Sequence, residues 1–365
     1  MPRNAQGNTR CDKGRGAFCL LILCLLCAFA VWARAGEKAV EEGKQAEPPE
    51  AESWSVKLAS PLWLASAWGK TGVLGKTANV DVSAKTILRH ASFLTSLSAE
   101  ARKGPFGVYG DFLYLGDQAG VFTNGLIYKT DVKFDEYLAD LDVSWRIINS
   151  PRGWLDVLAG ARYMNIYTRL QLQPNDGRIN AASERLVNTA SAAVGSTLDR
   201  LLDGVLDGKN PVLPIPPLAG SLERQMVQEI RHAQQNPELA AAIASGDPVR
   251  IARAQQAVAA NIASILRKNL SRAFSICQGW VDPYVGLRAR YNLSEAFYVT
   301  AKGDVGGFGA GSQVSAEAIG AVGCQITRRV WAEAGYKYLY VDYRRGGFVY
   351  DISNGGALVT VGVNF

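Results

Sequence analysis

The last eight residues constrain the fold most, because they alternate strictly between apolar side chains and polar or small ones. Residues 358–365 read Leu-Val-Thr-Val-Gly-Val-Asn-Phe, so every second residue from Val359 to Phe365 is apolar. A period of two is typical of a β-strand with two different faces. An apolar chain end frays in water unless something holds it. Two interpretations are open: the closing strand of a barrel whose outer face meets lipid, or the last strand of a soluble sheet.

The first 35 residues have the three-part pattern of a secretory signal peptide. Four basic residues precede an apolar run at 17–33, and Ala33 and Ala35 supply the small side chains of a cleavage site before Gly36. A retained membrane anchor is the alternative, because the run is near the lower length limit for a span. Cleavage would remove five of the 39 basic and one of the 33 acidic residues, leaving a net charge of +2. No basic surface points to nucleic acid.

The rest of the chain divides into two strand-rich halves and an insertion. Residues 36–53 are rich in Glu, Ala and Pro without an apolar period, which predicts a disordered periplasmic linker. Residues 54–172 and 280–365 are predicted to be the two halves of one barrel. No segment after the leader is long and apolar enough for a membrane helix, so any crossing has to use strands. The ten candidate strands are 54–68, 91–102, 106–116, 137–148, 153–171, 280–292, 296–306, 314–327, 330–343 and 357–365.

The connections between these strands alternate in length. Membrane barrels have short periplasmic turns and longer extracellular loops. The pattern therefore predicts an all-β transmembrane antiparallel up-and-down barrel of about 10 strands, with 8 as the alternative. The short connections are 103–105, 149–152, 293–295 and 328–329. The longer ones are 69–90, 117–136, 172–279, 307–313 and 344–356.

Charged residues occupy the second face of the predicted strands. In a membrane barrel this face lines the lumen. Acids and bases are nearly balanced there, and a barrel of this size is filled by side chains, so we expect them to pair with each other. The predicted lumen-facing residues are Glu100, Arg102, Asp111, Asp140, Asp142, Arg146, Asp156, Arg162, Asp282, Arg288, Arg290, Lys302, Asp304, Glu317, Glu333 and Lys337. Four tryptophans at strand starts are expected to form an aromatic girdle at the lipid boundary: Trp54, Trp154, Trp280 and Trp331.

Residues 173–279 are predicted to form an α-helical extracellular insertion. Amphipathic stripes predict helices near 181–206, 219–235, 237–245 and 247–274, with a Pro-rich linker at 212–217. The helices are expected to pack as a small outer domain or to fold into the barrel mouth as a lid. A helical excursion without a role is the third alternative.

Several segments resemble small outer-membrane β-barrel proteins of Gram-negative bacteria, of the OmpA and OmpW type. They are residues 280–288, 303–309 and 336–343, and the insertion at 173–279 departs from that pattern. The closing strand resembles the assembly signal of such barrels, carried here by Val361, Val363 and Phe365. The resemblance implies an outer-membrane location, contact with lipid and insertion by the barrel assembly machinery. It implies no defined activity.

The sequence offers little chemistry for catalysis. His90 and His232 are the only histidines, neither has an Asp beside it, and no Cys and His spacing suits zinc. The Gly-rich stretch at 303–311 is followed by a strand, whereas a phosphate loop needs a helix. We therefore predict no enzyme and no cofactor. Cys277 and Cys324 remain after leader cleavage, and their pairing is left open.

Three functions are compatible with these features. The first is a structural or surface-interaction barrel with a largely side-chain-filled lumen and an unknown extracellular partner. The alternative is a narrow channel or small-molecule conduit across the outer membrane, gated by the helical insertion. An outer-membrane hydrolase is the remote alternative.

Overall fold

The computed structural model describes residues 53–73, 76–122, 125–202, 219–271 and 273–365. The predicted signal peptide, nearly all of the predicted linker and the Pro-rich stretch at 212–217 lie outside these residues.

The described strands form one antiparallel sheet that closes on itself. Ten of them make a ring in which each strand pairs with its neighbours in the order β1, β3 to β11, and β11 pairs back with β1. The short β2 pairs with the second half of β1. The strands are β1 Ser55–Val73, β2 Lys76–Val82, β3 Ala91–Lys103, β4 Phe106–Phe122, β5 Ile127–Ser150, β6 Gly153–Pro174, β7 Ala273–Asn292, β8 Phe297–Gly306, β9 Val314–Gln325, β10 Val330–Arg345 and β11 Phe348–Asn364. The predicted barrel class is confirmed, and β2 is the strand that the sequence did not reveal.

The last strand closes the ring, as the alternation at the chain end predicts. β11 pairs with β1 from Lys57 opposite Asn364 to Gly72 opposite Val349. Phe365 adds a further bond, because its N–H donates to the carbonyl of Val56 at 2.8 Å. The last strand is therefore the closing strand of a barrel, as the first of the two interpretations predicts.

Apolar side chains cover the outside of the barrel. Val359 and Val361 are about half exposed on this face, and Phe365 is 70% exposed. Thr360, between the two valines, is buried inside. Other exposed side chains of this outer belt are Leu62, Leu97, Leu141, Val143, Val157, Val281, Val285, Leu287, Val305 and Val322. An apolar exterior over a polar interior is the arrangement of a barrel in lipid.

Three of the four tryptophans predicted for the lipid boundary point into the barrel instead. Trp280 is only 5% exposed and stacks on Tyr343 at 4.2 Å. Trp154 and Trp331 line a cavity inside the barrel, whereas Trp54 is 41% exposed. The reason is alternation, since each inward tryptophan lies two residues before an inward carboxylate on its own strand.

Several strands continue well past their predicted ends. We call the end of the barrel with the insertion its upper end, and the opposite end its lower end. β4 and β5 run on through most of the predicted loop 117–136, and β11 begins at Phe348 inside the predicted loop 344–356. β6 reaches Pro174 and β7 begins at Ala273, so the insertion is shorter than 173–279. A membrane needs only about 9–11 residues per tilted strand, so the 24 residues of β5 extend beyond it.

The helices lie above the barrel, apart from a short α1, Ala84–His90, next to β1. The insertion contains α2 Asp176–Val187, α3 Val194–Leu202, α4 Ala219–Gln234, α5 Pro237–Ser245 and α6 Pro248–Leu270. Asp247 caps α6 by accepting from the N–H of Val249 at 2.9 Å. Their shared apolar core includes Ile179, Leu198, Ile230, Ile262 and Leu266. Among the described helices, none combines the length and apolarity of a membrane span.

The helical core continues onto the upper, open end of the β5–β6 hairpin, opposite its turn. Ile127 of β5 and Leu172 of β6 are buried in the same cluster as the helices, together with Leu126. Arg267 of α6 also pairs with Asp176 of α2 at 2.6 Å. The insertion is thus a folded unit mounted on one hairpin.

Candidate functional site

The lumen is crossed by a layer of ion pairs centred on Arg162, which we call the upper layer. The Arg162 side chain is fully buried. Its Nε and Nη2 donate to the two carboxylate oxygens of Asp140 at 2.9 and 3.0 Å. Its Nη1 donates to Oδ1 of Asp304 at 3.1 Å, and Nη2 lies 3.3 Å from Glu317. One guanidinium therefore links strands β5, β6, β8 and β9.

Two lysines complete the upper layer. Lys302 donates to Oε1 of Glu317 at 3.0 Å, and Lys337 lies 2.9 Å from Oε2 of the same carboxylate. Lys337 also lies 3.9 Å from Asp111 on the far side of the ring. Four carboxylates and three cations thus share a largely buried space, where an unpaired charge would be costly.

A second layer lies below the first, and we call it the lower layer. Arg288 donates to Glu100 at 2.7 Å and to Asp156 at 3.2 Å. Asp156 is fully buried and also accepts from Arg102 at 2.6 Å and from Arg146 at 2.8 Å. Lys57, which the sequence reading overlooked, lies 3.6 Å from Glu100. Its position two residues before the inward Ala59 was the signal that could have found it.

The remaining predicted lumen residues are also inside but have other partners. Asp142 accepts from the Tyr284 hydroxyl at 2.9 Å. Asp282 accepts from the backbone N–H and the hydroxyl of Ser312, at 2.6 and 2.8 Å, and so holds the loop between β8 and β9. Arg290 lies over the Tyr298 ring, 3.5 Å from its centroid. Glu333 lines the cavity inside the barrel that Trp154 and Trp331 also line.

The two layers differ in the sign of their charge. The lower layer holds four cations around two carboxylates, while the upper layer holds four carboxylates around three cations. Residues of both layers line a cavity of about 180 Å³ inside the barrel. Because opposite charges face each other along the axis, the layers attract each other as well as their own members.

Above the charged layers the lumen changes character and becomes apolar. A second cavity of about 150 Å³, which we call the upper pocket, is lined mainly by aliphatic and aromatic side chains. Trp63 forms part of its lining, and its indole N–H donates to the Lys337 carbonyl at 3.2 Å. Other members include Leu113, Phe134, Leu138, Ile166, Ile276 and Ile352. The sequence reading missed this pocket because it assigned inward positions by their charge.

The insertion does not contribute to the upper pocket. Among the described residues, those lining it come from the strands and from α1. The helical unit stands on the β5–β6 hairpin instead. This placement agrees with a separate outer unit better than with a lid.

The upper rim carries two further features. The register places Ala91 opposite Asp117, so His90 lies close to a carboxylate that the sequence alone did not associate with it. Arg344 donates to Asp342 at 2.7 Å and lies 3.2 Å from Asp351. The hydrogen bond and charge of Asp342 raise the pKa of Arg344. Cys324 has a free thiol, so it is not paired with Cys277.

Neither a protein-family model nor a curated protein matches this sequence. Among solved structures, the chain is similar to the outer membrane protease OmpT from Escherichia coli, with 9% identity and a TM-score of 0.38 over 88% of this chain and 99% of that one. It is similar to the attachment invasion locus protein Ail of Yersinia pestis, with 10% identity and a TM-score of 0.28 over 86% and 99%. It is similar to the toluene transporter TodX of Pseudomonas putida, with 8% identity and a TM-score of 0.29 over 87% of this chain and 90% of that one.

The closed ring, the apolar belt and the polar interior define an up-and-down β-barrel of the bacterial outer-membrane kind, as the sequence resemblance implied. The finer resemblance to the OmpA and OmpW type stays a prediction. At these identities and TM-scores, the function of the chain has to be argued from its own residues.

Proposed function

We propose that the protein is a non-conducting barrel of the outer membrane that presents its helical unit at the cell surface. The observation that supports this most is the upper layer, in which Arg162 joins carboxylates from three other strands without exposed surface. Ions would have to break several buried charge pairs to pass, and breaking one such pair already costs about 3–5 kcal/mol.

The orientation follows from the lengths of the connections. At the lower end, turns such as Gly104–Pro105 and residues 151–152 are tight, whereas the upper end carries the insertion and the tallest hairpin. Short turns belong to the periplasmic side of outer-membrane barrels. The helical unit would then face the outside, where it can meet a partner. We propose no enzymatic activity.

A narrow conduit is the second candidate, because a cavity of about 180 Å³ already exists among the charged residues of the lower half. Such a conduit would need the upper layer to move aside. Whether the insertion controls it is a separate question that deletion can answer.

The test is to delete residues 176–272, joining Asn175 to Ala273 at the start of β7, and to record conductance across planar bilayers. The matched control is the intact chain reconstituted at the same protein-to-lipid ratio. Baseline current for both proteins supports a surface unit on a closed barrel. Current that appears only after deletion would make the insertion a lid and overturn the proposal.

A further inference from the structure

The barrel wall is incomplete between β1 and β3. The ladder joins these strands from Ser55 opposite Arg102 to Ala59 opposite Ser98. Above that point β1 has no ladder partner on this edge until Ala67, which pairs with β2. Within the described strands, residues 60–66 of β1 and the upper part of β3 therefore lie side by side without a ladder. We call this opening the lateral gap.

Pro61 explains why the ladder stops. Its carbonyl accepts a hydrogen bond from the Ser96 hydroxyl, so the Pro61 backbone is directed toward β3. A ladder would need an N–H at this place, and proline has none. The Ser60 hydroxyl donates to the Ser96 carbonyl at 3.2 Å. These side-chain bonds mark the lower edge of the lateral gap.

The upper edge of the gap is fixed as well. The N–H of Ala84, at the start of α1, donates to the Ser66 hydroxyl at 3.0 Å. β2 takes over the edge of β1 immediately above. The opening is therefore bounded on both sides by specific bonds.

The lateral gap leads into the upper pocket. Trp63 and Ala65 line the pocket as inward residues of β1. Leu64, which by alternation belongs to the lipid-facing side, lines it too. On either side the belt is apolar, with Leu62 43% and Phe93 58% exposed. The apolar lining thus continues from the outer belt to the pocket, beside α1, whose Ile87 and Leu88 line the pocket as well.

The pocket also contains polar atoms that lack partners. Among the described residues, neither Nδ2 of Asn354 nor Oδ1 of Asp117 has a hydrogen-bond partner, although both side chains are more than nine-tenths buried. Glu136 also lines the pocket and accepts from the Tyr350 hydroxyl at 3.4 Å. A ligand hydroxyl can accept from an amide such as that of Asn354 or donate to a carboxylate oxygen such as Oδ1 of Asp117.

The charge of the lining selects against anions. Two carboxylates, Asp117 and Glu136, are among the described lining residues, and no lysine or arginine is. A buried anion without a cationic partner is unfavourable. A carboxylate end group should therefore bind less well than a hydroxyl of the same chain length.

The volume sets how much of a ligand fits. A cavity of about 150 Å³ lined by aliphatic and aromatic side chains is comparable to an engineered one that holds benzene, so it encloses about six heavy atoms. A longer chain has to leave through the lateral gap, with its remainder in the lipid.

We propose that the upper pocket binds the hydroxyl end of a neutral hydrocarbon chain, which enters sideways from the surrounding lipid through the lateral gap. This site is independent of whether the lumen conducts ions. Its ligand would be a lipid-soluble alcohol rather than a fatty acid.

The first test is photolabelling of the full-length barrel in phospholipid vesicles with decanol that carries a diazirine. The matched probe is the decanoate with the same diazirine, and mass spectrometry locates the labelled peptides. We expect the alcohol to label the pocket stretches of β1 and β5, and the decanoate to label them at least several-fold less. Equal labelling by both probes, or alcohol labels confined to the outer belt, would overturn the proposal.

Filling the pocket provides the matched variants. Leu138→Trp places a larger side chain in the pocket, whereas Leu141→Trp makes the same change on the lipid face of the same strand. We expect about tenfold less pocket labelling for the first and no change for the second. Undiminished labelling in a correctly assembled Leu138→Trp barrel would contradict the site.

A milder variant covers the case in which Leu138→Trp does not assemble. Asn354→Leu removes the unpartnered amide at similar size. It should lower the labelling ratio of the decanol probe to a decane probe by about fivefold, the value of one hydrogen bond. An unchanged ratio would mean that the hydroxyl is not recognised there.

The route is tested by the rate of labelling. Leu64→Trp narrows the lateral gap, and Leu141→Trp makes the same change on the lipid face of β5, away from the gap and outside the pocket lining. Slower pocket labelling in the first variant alone supports entry through the wall. Equal rates in both variants would show that the ligand enters from above.

Discussion

Arg162 and Asp140 lie opposite each other in the β5–β6 ladder and form a two-bond pair inside the lumen. Both side chains are buried, and the fork of the guanidinium meets the two oxygens of the carboxylate, which is the strongest ion-pair geometry. The pair is joined to Asp304 and Glu317, so it ties together strands that are far apart in sequence.

Replacing Arg162 by Met should destabilise the barrel strongly. The substitution leaves Asp140, Asp304 and Glu317 buried with only Lys302 and Lys337 as cations. We expect a loss of about 3–5 kcal/mol in the free energy of unfolding, as for other broken buried pairs. Urea unfolding in vesicles, followed by heat-modifiable migration on gels, measures it.

Arg344→Met is the matched control for that substitution. Arg344 pairs with Asp342 and Asp351 at the upper rim, but its side chain is 54% exposed. Exposed pairs contribute at most about 1 kcal/mol. Equal losses for the two variants would show that the Arg162 layer does not hold the barrel together.

Val361→Asp should block assembly. Val361 is 52% exposed on the outer face of the closing strand. A basic residue on the lipid face costs up to about 2–4 kcal/mol near the midplane, and an acidic residue costs somewhat less. Deleting Phe365 should act in the same direction, because the bonds with Val56 are lost. Membrane fractionation and heat-modifiable migration give the readout.

The control for the closing strand is Asn364→Asp. Asn364 lines the inner cavity rather than the lipid face, so an added carboxylate there has cations within the lumen. This variant should assemble normally. If Val361→Asp and Asn364→Asp assembled equally well, the outer belt would not be in contact with lipid.

External protease should cleave the insertion in intact cells. The predicted site is 211–217, where four prolines interrupt the helical pattern of the sequence. The barrel fragments should stay together, because β6 pairs with β7 from Gly153 to Gln171. Cleavage only after the outer membrane has been opened would reverse the proposed orientation.

The sequence contained the barrel class and the inward charges, because both depend on a local period of two. Asp140 and Arg162, for example, were assigned to the lumen by alternation alone, and the structure places them there. Which acid meets which base could not be predicted, since Arg162 and Asp304 are 142 residues apart and meet only through the ring.

Other features were missed for physical reasons. The connection predicted at 117–136 is mostly strand, because β5 supplies ladder partners for β4 as far as Phe122. The upper pocket was missed because apolar residues were assigned to lipid, whereas Leu138 and Ile352 face inward. The one sequence signal of the lateral gap is a proline within β1, because proline cannot donate to a ladder.

The central claim is that the two charged layers close the lumen, and single-channel recording in planar bilayers tests it most directly. The wild-type barrel should give no current above baseline. The double variant Arg162→Ala with Asp140→Ala should give discrete openings if it assembles, because it removes the pair that links the walls. A wild-type barrel that conducts steadily, with the same conductance in the double variant, would contradict the account.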